Sequence, residues 1–370
     1  MPTRIVIAAG GTAGHVVPAL CVADALRAEG ADVAFVGGER AELELVPAAG
    51  YELHRIRAAG LDRHNPVRAA RAIGLAAAGT GRALRLLHRL RPDAVLGGGG
   101  YVAGPVGLAA VLRRVPLVLA EADSHLGLTN RALAPFARRV CLAFALPGRA
   151  GRRYLVTGRP VPAAASDRSA ARERFGIEPD EISVLVFGGS LGARSINGAA
   201  LAAFREAPFH VLHLAGQRDF EALREQRRGP RYDLRAYLDL DDFGRALLAS
   251  DLVVARAGGS VFEIALYGRP AVLVPYPHAT ADHQTANARW MVEGGAAVLI
   301  PDDELTGPRL ARTVAELLGD RARLAGMARA STGLARPDAA AVVAREVLAA
   351  AGMSASGTTA AGRSDFAPDH

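Results

Sequence analysis

Ile5-Val6-Ile7-Ala8-Ala9-Gly10-Gly11-Thr12-Ala13-Gly14-His15, continuing through Val16-Val17-Pro18-Ala19-Leu20, decides how the chain folds. An apolar run ends in glycines. Apolar residues then recur at Val16, Leu20, Val22, Ala23 and Leu26, the spacing of an amphipathic helix. This is a strand, a glycine turn and the start of a helix. Glycines let the backbone approach a phosphate closely, and a new helix offers unpaired N–H groups to it. His15 adds a titratable side chain where a ligand would sit.

Working outward, the pattern recurs. Val33 to Gly38 and Tyr51 to Ile56 read as strands, with a helix starting at Glu42. A helix is expected around 67–90. Ala94-Val95-Leu96 runs into Gly97-Gly98-Gly99-Gly100-Tyr101-Val102-Ala103-Gly104-Pro105, a second glycine loop feeding a helix to 112. Pro116 to Ala120 is a further strand, ending at Glu121. A break follows near Tyr154–Ala171, where Gly158-Arg159-Pro160-Val161-Pro162 resembles an interdomain linker. The pattern then restarts: Ile182 to Phe187 is a strand, and Gly188-Gly189-Ser190-Leu191-Gly192-Ala193-Arg194 is a third loop. Strands follow at Phe209–Leu214, Tyr232–Tyr237, Asp251–Arg256, Ala271–Pro275 and Ala296–Ile300. Amphipathic helices fill 306–351. Strands alternating with helices predict doubly wound parallel sheets whose ligands sit at the strands' carboxyl ends. At 370 residues two domains are expected, because single cores rarely grow past ~250–300 residues. We place them at 1–157 and 158–352, with a disordered tail over 353–370.

Composition narrows the function. No run of ~18 apolar residues predicts a membrane span, and the N-terminus lacks the pattern of a secretory signal. Cys21 and Cys141 stand in no metal or redox spacing, as reduced thiols of a cytosolic protein do. The net charge is +7, with every basic residue an Arg. A dense arginine set runs from Arg55 to Arg91 against one acid, Asp62, interleaved with leucines. Such a surface suits an anionic membrane face; solvated arginines on ordinary helices are the plainer alternative. Nucleic acid is disfavoured, since aromatic side chains are missing from this stretch. No glycine loop has the dinucleotide spacing with a following acid, and the absence of lysine excludes a P-loop. Metal binding is not expected, because no His, Cys or Asp pair recurs at ligand spacing; no cofactor is expected either.

The most informative segment is Arg256-Ala257-Gly258-Gly259-Ser260-Val261-Phe262-Glu263, followed by Pro275-Tyr276-Pro277-His278 and Asp282-His283-Gln284, then Asn287. The glycine turn would hold a phosphate. Glu263 can accept from two neighbouring hydroxyls such as those of ribose, although a surface acid at a positive helix end is the bland alternative. Gln284 and Asn287, three apart, share a helix face. For His278 and His283 a loop or capping role is at least as good a reading as ligand contact.

Together with Gly127-Leu128-Thr129-Asn130, these segments occur in the order seen in the MurG family, which the chain resembles over about 1–350. The resemblance implies the GT-B glycosyltransferase architecture, two Rossmann-like domains whose parallel sheets face a central cleft. It also implies inverting, metal-independent transfer of N-acetylglucosamine from UDP-N-acetylglucosamine to lipid I, giving lipid II for peptidoglycan. On this resemblance Thr12, Ala13 and Gly14 form the loop at the donor sugar, and Asp123 stands where the family has an amide. Ser190 contacts the donor phosphate, and the Leu240 backbone the uracil. Gly259, Ser260 and Val261 line the diphosphate and Glu263 holds the ribose. Gln284 and Asn287 read the sugar hydroxyls, and His15 is the general base. Gly99, Gly100, Tyr101 and Gly104 hold the acceptor's pyrophosphate. The implied setting is the cytoplasmic face of the cell membrane, as a peripheral protein on its anionic surface, with cell-wall synthesis and division proteins as partners. Departures are Ala13 for a usual glycine, Glu121-Ala122-Asp123 for Glu-Gln-Asn, Pro162 for an arginine after the linker, and a turn one residue short after Arg256. The alternatives are a GT-B transferase with another lipid or natural-product acceptor, a UDP-N-acetylglucosamine 2-epimerase, and an idle nucleotide-sugar binder.

Overall fold

A computed structural model describes residues 2–58, 66–189, 192–226 and 228–353; the expected tail lies almost wholly outside them. The strands are β1 Arg4–Ala8, β2 Asp32–Gly37, β3 Glu52–Arg55, β4 Ala94–Gly97, β5 Leu117–Glu121, β6 Arg139–Leu142 and β7 Tyr154–Val156. A second set follows: β8 Ser183–Phe187, β9 His210–Leu214, β10 Tyr232–Arg235, β11 Leu252–Ala255, β12 Ala271–Leu273 and β13 Ala297–Leu299. The helices of the first half are α1 Ala13–Ala28, α2 Glu42–Ala48, α3 Pro66–Leu90, α4 Ala103–Leu112 and α5 Leu128–Leu133. Those of the second are α6 Arg168–Arg174, α7 Arg194–Phe204, α8 Gln217–Arg224, α9 Leu240–Ala249, α10 Val261–Leu266, α11 His283–Glu293, α12 Gly307–Gly319, α13 Arg321–Leu334 and α14 Ala339–Ala350.

The sheets order as β3-β2-β1-β4-β5-β6-β7 and β10-β9-β8-β11-β12-β13, and every pairing is parallel. Helices cover both faces, so the strands read as unbroken apolar runs. Ile5 to Ala8 and Val184 to Val186 are wholly buried. In each sheet the order reverses between the first strand and the fourth of its unit, β1/β4 and β8/β11. A ligand crevice opens at that point, outside the strands' carboxyl ends.

The third glycine loop is pinned from behind. Gly192 has φ +76°, and a Cβ there would stand 2.0 Å from the Ala215 carbonyl oxygen. Behind it His213 bonds Asn197 Oδ1 through Nε2 at 3.0 Å and Tyr232 Oη through Nδ1 at 2.7 Å. Burial pushes His213 down to about 3. The ring is therefore neutral, donating from Nε2 to the amide oxygen and accepting from the phenol.

The linker Gly158–Pro162 runs without helix or strand between the edge strand β7, Tyr154–Val156, and α6, which Asp167 caps by accepting from Ala170 N–H at 2.9 Å. One expectation about organisation is corrected, the boundary at 352. Helix α14 crosses back and buries Val343, Ala344, Val347 and Leu348 against Ile5, Ile7 and Leu96 of the first sheet and Leu26 of α1. Its Glu346 pairs with Arg139 of β6 at 2.6 Å. The last helix therefore belongs to the N-terminal domain. Beneath the cleft the domains are joined by aromatic packing: Phe144 lies 4.7 Å from Phe262 and 5.4 Å from Trp290, centroid to centroid.

Candidate active site

Four glycine-rich loops meet at the two switch points, and each feeds a helix whose N-cap makes no side-chain capping bond: Thr12 before α1, Val102 before α4, Ala193 before α7 and Ser260 before α10. Asp167, Asp239, Thr306 and Asp320 cap their helices through side-chain oxygens, whereas α2, α5, α8, α11 and α14 also start without such a bond. Helix starts without a side-chain cap leave amide donors open to a ligand.

The first loop is held by a buried carboxylate. Glu42 accepts from Gly11 N–H at 2.8 Å and Gly38 N–H at 2.7 Å, and Tyr101 Oη donates to it at 3.1 Å. Burial works against the charge, but these hydrogen bonds outweigh it and hold Glu42 below the usual carboxylate range. Tyr101 also accepts from Glu39 N–H at 3.2 Å. Its hydroxyl is thus committed to joining the first and second loops.

His15 stands in the first turn of α1, half-buried, with Nδ1 3.5 Å from Thr12 Oγ1 and the ring edge over Gly99. Burial lowers its pKa below 6.5; the Arg159 guanidinium adds to that, and Asp123 opposes both. The imidazole is therefore neutral near pH 7, the form a general base requires. Asp123 is set by Glu121, which accepts from Asp123 N–H at 3.2 Å, Gly127 N–H at 2.8 Å and Asn130 Nδ2 at 2.9 Å.

One cavity of about 310 Å³ joins the domains, within the range of a small-molecule site. Ala13 and Gly14 wall it from the first domain, and Gly259, Ser260, Glu263 and Gln284 from the second. Leu240 lines one end with Tyr237 and Phe243, and Phe243 is braced edge-on by Phe187 at 5.1 Å. Glu263 faces the cavity, and burial raises its pKa against the pull of Arg159. Gln284 Oε1 accepts from Tyr276 N–H at 3.0 Å, which leaves its NH₂ group for a ligand.

Some expected residues stand elsewhere. Asn287 is wholly buried and donates to the Ala257 carbonyl at 3.0 Å; it supports the Gly258–Ser260 turn rather than facing the cleft. The Val261 side chain is buried and its N–H closes on the Gly258 carbonyl at 3.3 Å. Arg256 binds the Val274 and Pro275 carbonyls, Asp302 and Ser195, a structural anchor for the same turn. Ser190 lies outside the described residues. His283 Nδ1 bonds the Thr280 carbonyl at 2.9 Å, the local role expected of it. Among the described residues no cluster of three or more His, Cys, Asp or Glu could hold a metal. Sequence reasoning passed over Arg159, which projects from the linker into the centre of the cleft.

Comparison with known proteins agrees with the two-domain fold. The Glycosyltransferase family 28 N-terminal domain matches residues 5–142, and the Glycosyltransferase family 28 C-terminal domain matches 183–343. A UDP-N-acetylglucosamine–N-acetylmuramyl-(pentapeptide) pyrophosphoryl-undecaprenol N-acetylglucosamine transferase of Moorella thermoacetica is 41% identical over 366 residues, covering 93% of this chain and 98% of the relative. The protein of the same name from Alkalilimnicola ehrlichii is 44% identical over 358 residues, with the same coverage. The crystal structure of Acinetobacter baumannii MurG superposes with a TM-score of 0.74 at 30% identity, covering 94% of this chain and all of that one. An S. aureus MnaA–UDP structure reaches 0.69 at 15% identity, covering 94% of this chain and 96% of that one, a likeness of fold alone.

Proposed function

From the premise that this chain belongs to glycosyltransferase family 28, with the MurG transferases as its relatives, we propose how the cleft divides the work. The reaction is transfer of N-acetylglucosamine from UDP-N-acetylglucosamine to the C4 hydroxyl of the N-acetylmuramyl unit of lipid I, giving lipid II. The observation that carries the reading is the cavity walled by Ala13 and Gly14 on one side and Gly259, Ser260, Glu263 and Gln284 on the other. Uracil sits by Leu240, ribose on Glu263, and the diphosphate along Gly259 and Ser260. The sugar lies between Gln284 and the first turn of α1. The acceptor enters over Gly99–Gly104 with its hydroxyl toward His15. His15 takes the hydroxyl proton as oxygen attacks the anomeric carbon from the face opposite UDP, so the configuration inverts. Loop amides held in place by the fold stabilise the departing diphosphate, and no metal is invoked.

Transfer of labelled N-acetylglucosamine from the UDP donor to a lipid I analogue, with EDTA present, tests this directly. Labelled disaccharide lipid is expected. UDP binding without transfer would overturn the acceptor, and transfer abolished by EDTA would overturn metal independence.

We also propose that the N-terminal domain rests on an anionic membrane surface. No helix among the described residues is long and apolar enough to cross a membrane. On α3, Arg82, Arg85 and Arg89 are exposed while Ala83 and Leu87 pack inward. On α4, which packs against α3, and on α5 and the turn after it, Leu112 is 61% exposed and Phe136 is 64% exposed, with Leu108 and Leu128 also open to solvent. Arginines beside apolar side chains are the composition of an interfacial surface. At about 1 kcal/mol per near-surface arginine, reversing Arg82, Arg85 and Arg89 to Glu should weaken partition onto phosphatidylglycerol vesicles by at least about a hundredfold. Unchanged sedimentation with the vesicles would sink the membrane reading and leave the transferase reading intact.

A further inference from the structure

We propose that Arg159 is the cation that receives the donor's diphosphate, an assignment that rests on the donor reading above. Arg159 comes from the linker Gly158-Arg159-Pro160-Val161-Pro162, ahead of Pro162, where the family's arginine is missing. Its side chain leaves the linker and lies between the two domains, 8% exposed.

A proline in another element makes this position possible. Pro18 stands inside α1 and has no N–H, so the Gly14 carbonyl one turn earlier loses its helical partner. Arg159 Nη2 donates to that carbonyl, and Nη1 donates to the Ala122 carbonyl at 3.3 Å. The plane of the guanidinium then lies against Gly259, where a Cβ would fall 2.3 Å from Cζ. Only glycine at 259 admits it. The guanidinium is thereby fixed among the sugar loop (Gly14), the base's neighbour loop (Ala122) and the diphosphate loop (Gly259), and it lines the central cavity.

The two carbonyl bonds occupy only part of the five-donor fork. Arg159 makes no ion pair with a carboxylate among the described residues; Asp123, Glu263 and Glu121 act on it only through longer-range attraction. A buried cation without a contacting anion is costly, and this one opens onto the cavity in which the donor reading places the diphosphate. A planar fork also matches phosphate oxygens two at a time. The chain has no lysine; the arginines lining the cavity are Arg159 and Arg256, and Arg256 is spent on Asp302, Ser195 and the Val274 and Pro275 carbonyls. Arg159 would bind the diphosphate in the ground state and carry more of its charge as the glycosidic bond breaks.

Calorimetry of the full chain with UDP and with uridine tests the assignment, because uridine lacks the phosphates. In the unaltered protein UDP should bind much more tightly than uridine. Arg159→Gln should weaken UDP by about 10- to 100-fold while leaving uridine within about twofold, and Arg159→Lys should lose less. Equal losses of UDP and uridine, or no loss, in a variant with unchanged melting would make Arg159 an interdomain strut and overturn the proposal. Should Arg159→Gln fail to fold, Arg159→Lys decides by the same comparison. Absence of any UDP preference in the unaltered protein would instead strike at the donor reading itself.

Discussion

Replacing His15 by alanine lowers kcat by about 10²–10⁴, with the dissociation constant for UDP nearly unchanged. The side chain is not a packing residue: it is half-buried, and its ring edge lies over Gly99 at the rim of the second loop. Truncation removes a titratable imidazole and little packing. The pH dependence is a second handle on the same residue. Burial and Arg159 hold His15 below 6.5, so the base form fills as pH rises through that lowered value. The acid limb of kcat/KM therefore lies below pH 6.5, with a plateau above it. Asp123 is the one group holding the pKa up; Asp123→Asn should move the limb further toward acid, whatever it does to the plateau. An alanine variant that turns over near-normally, or a limb above 6.5, would remove His15 from the chemistry.

The position of His15 was legible because the pattern that places it is local: an apolar strand, two glycines, and a histidine within the first turn of a helix; its proposed role as base came with the family resemblance. The other glycine loops were legible for the same reason. Residues acting across the fold were not. Arg159 reads as linker because the carbonyl it binds is freed by Pro18, 141 positions away in the other domain's first helix. Asn287 shares a helical face with Gln284 by spacing. Three residues still turn a helix by about 300°, enough to leave Gln284 at the cleft and turn Asn287 under it onto Ala257. Helix α14 has a legible apolar face, but amphipathicity says only that a face is buried, not which sheet buries it. The donor's proposed orientation comes from the family resemblance, since no local pattern holds it. Glu42, whose carboxylate ties Gly11 to Gly38, looks in sequence like any acid at a helix start.

Gly100→Ala should cost about 2–5 kcal/mol of stability and abolish transfer with it. Gly100 has φ +76°, and a Cβ there would stand 1.8 Å from the Gly10 carbonyl oxygen and 2.9 Å from its carbon. Two penalties combine. A left-handed conformation costs an L-residue roughly 1–2 kcal/mol, and forcing an atom into packed backbone costs about 1–3 kcal/mol more. The obstacle is another loop's main chain, which cannot rotate aside as a side chain would. Either the second loop lifts away or the first is pushed, and the first carries His15. Binding of the acceptor and placement of the base should therefore fail together. At about 2–4 °C per kcal/mol for domains of this size, the melting point should fall by roughly 5–15 °C. Gly198→Ala supplies the contrast. Gly198 is exposed in the middle of α7 with open space where a Cβ would go, and alanine there should be neutral or gain up to about 1 kcal/mol. If Gly100→Ala melts with the unaltered protein and keeps its turnover, the crossing of the two glycine loops is not what holds the base against the acceptor site.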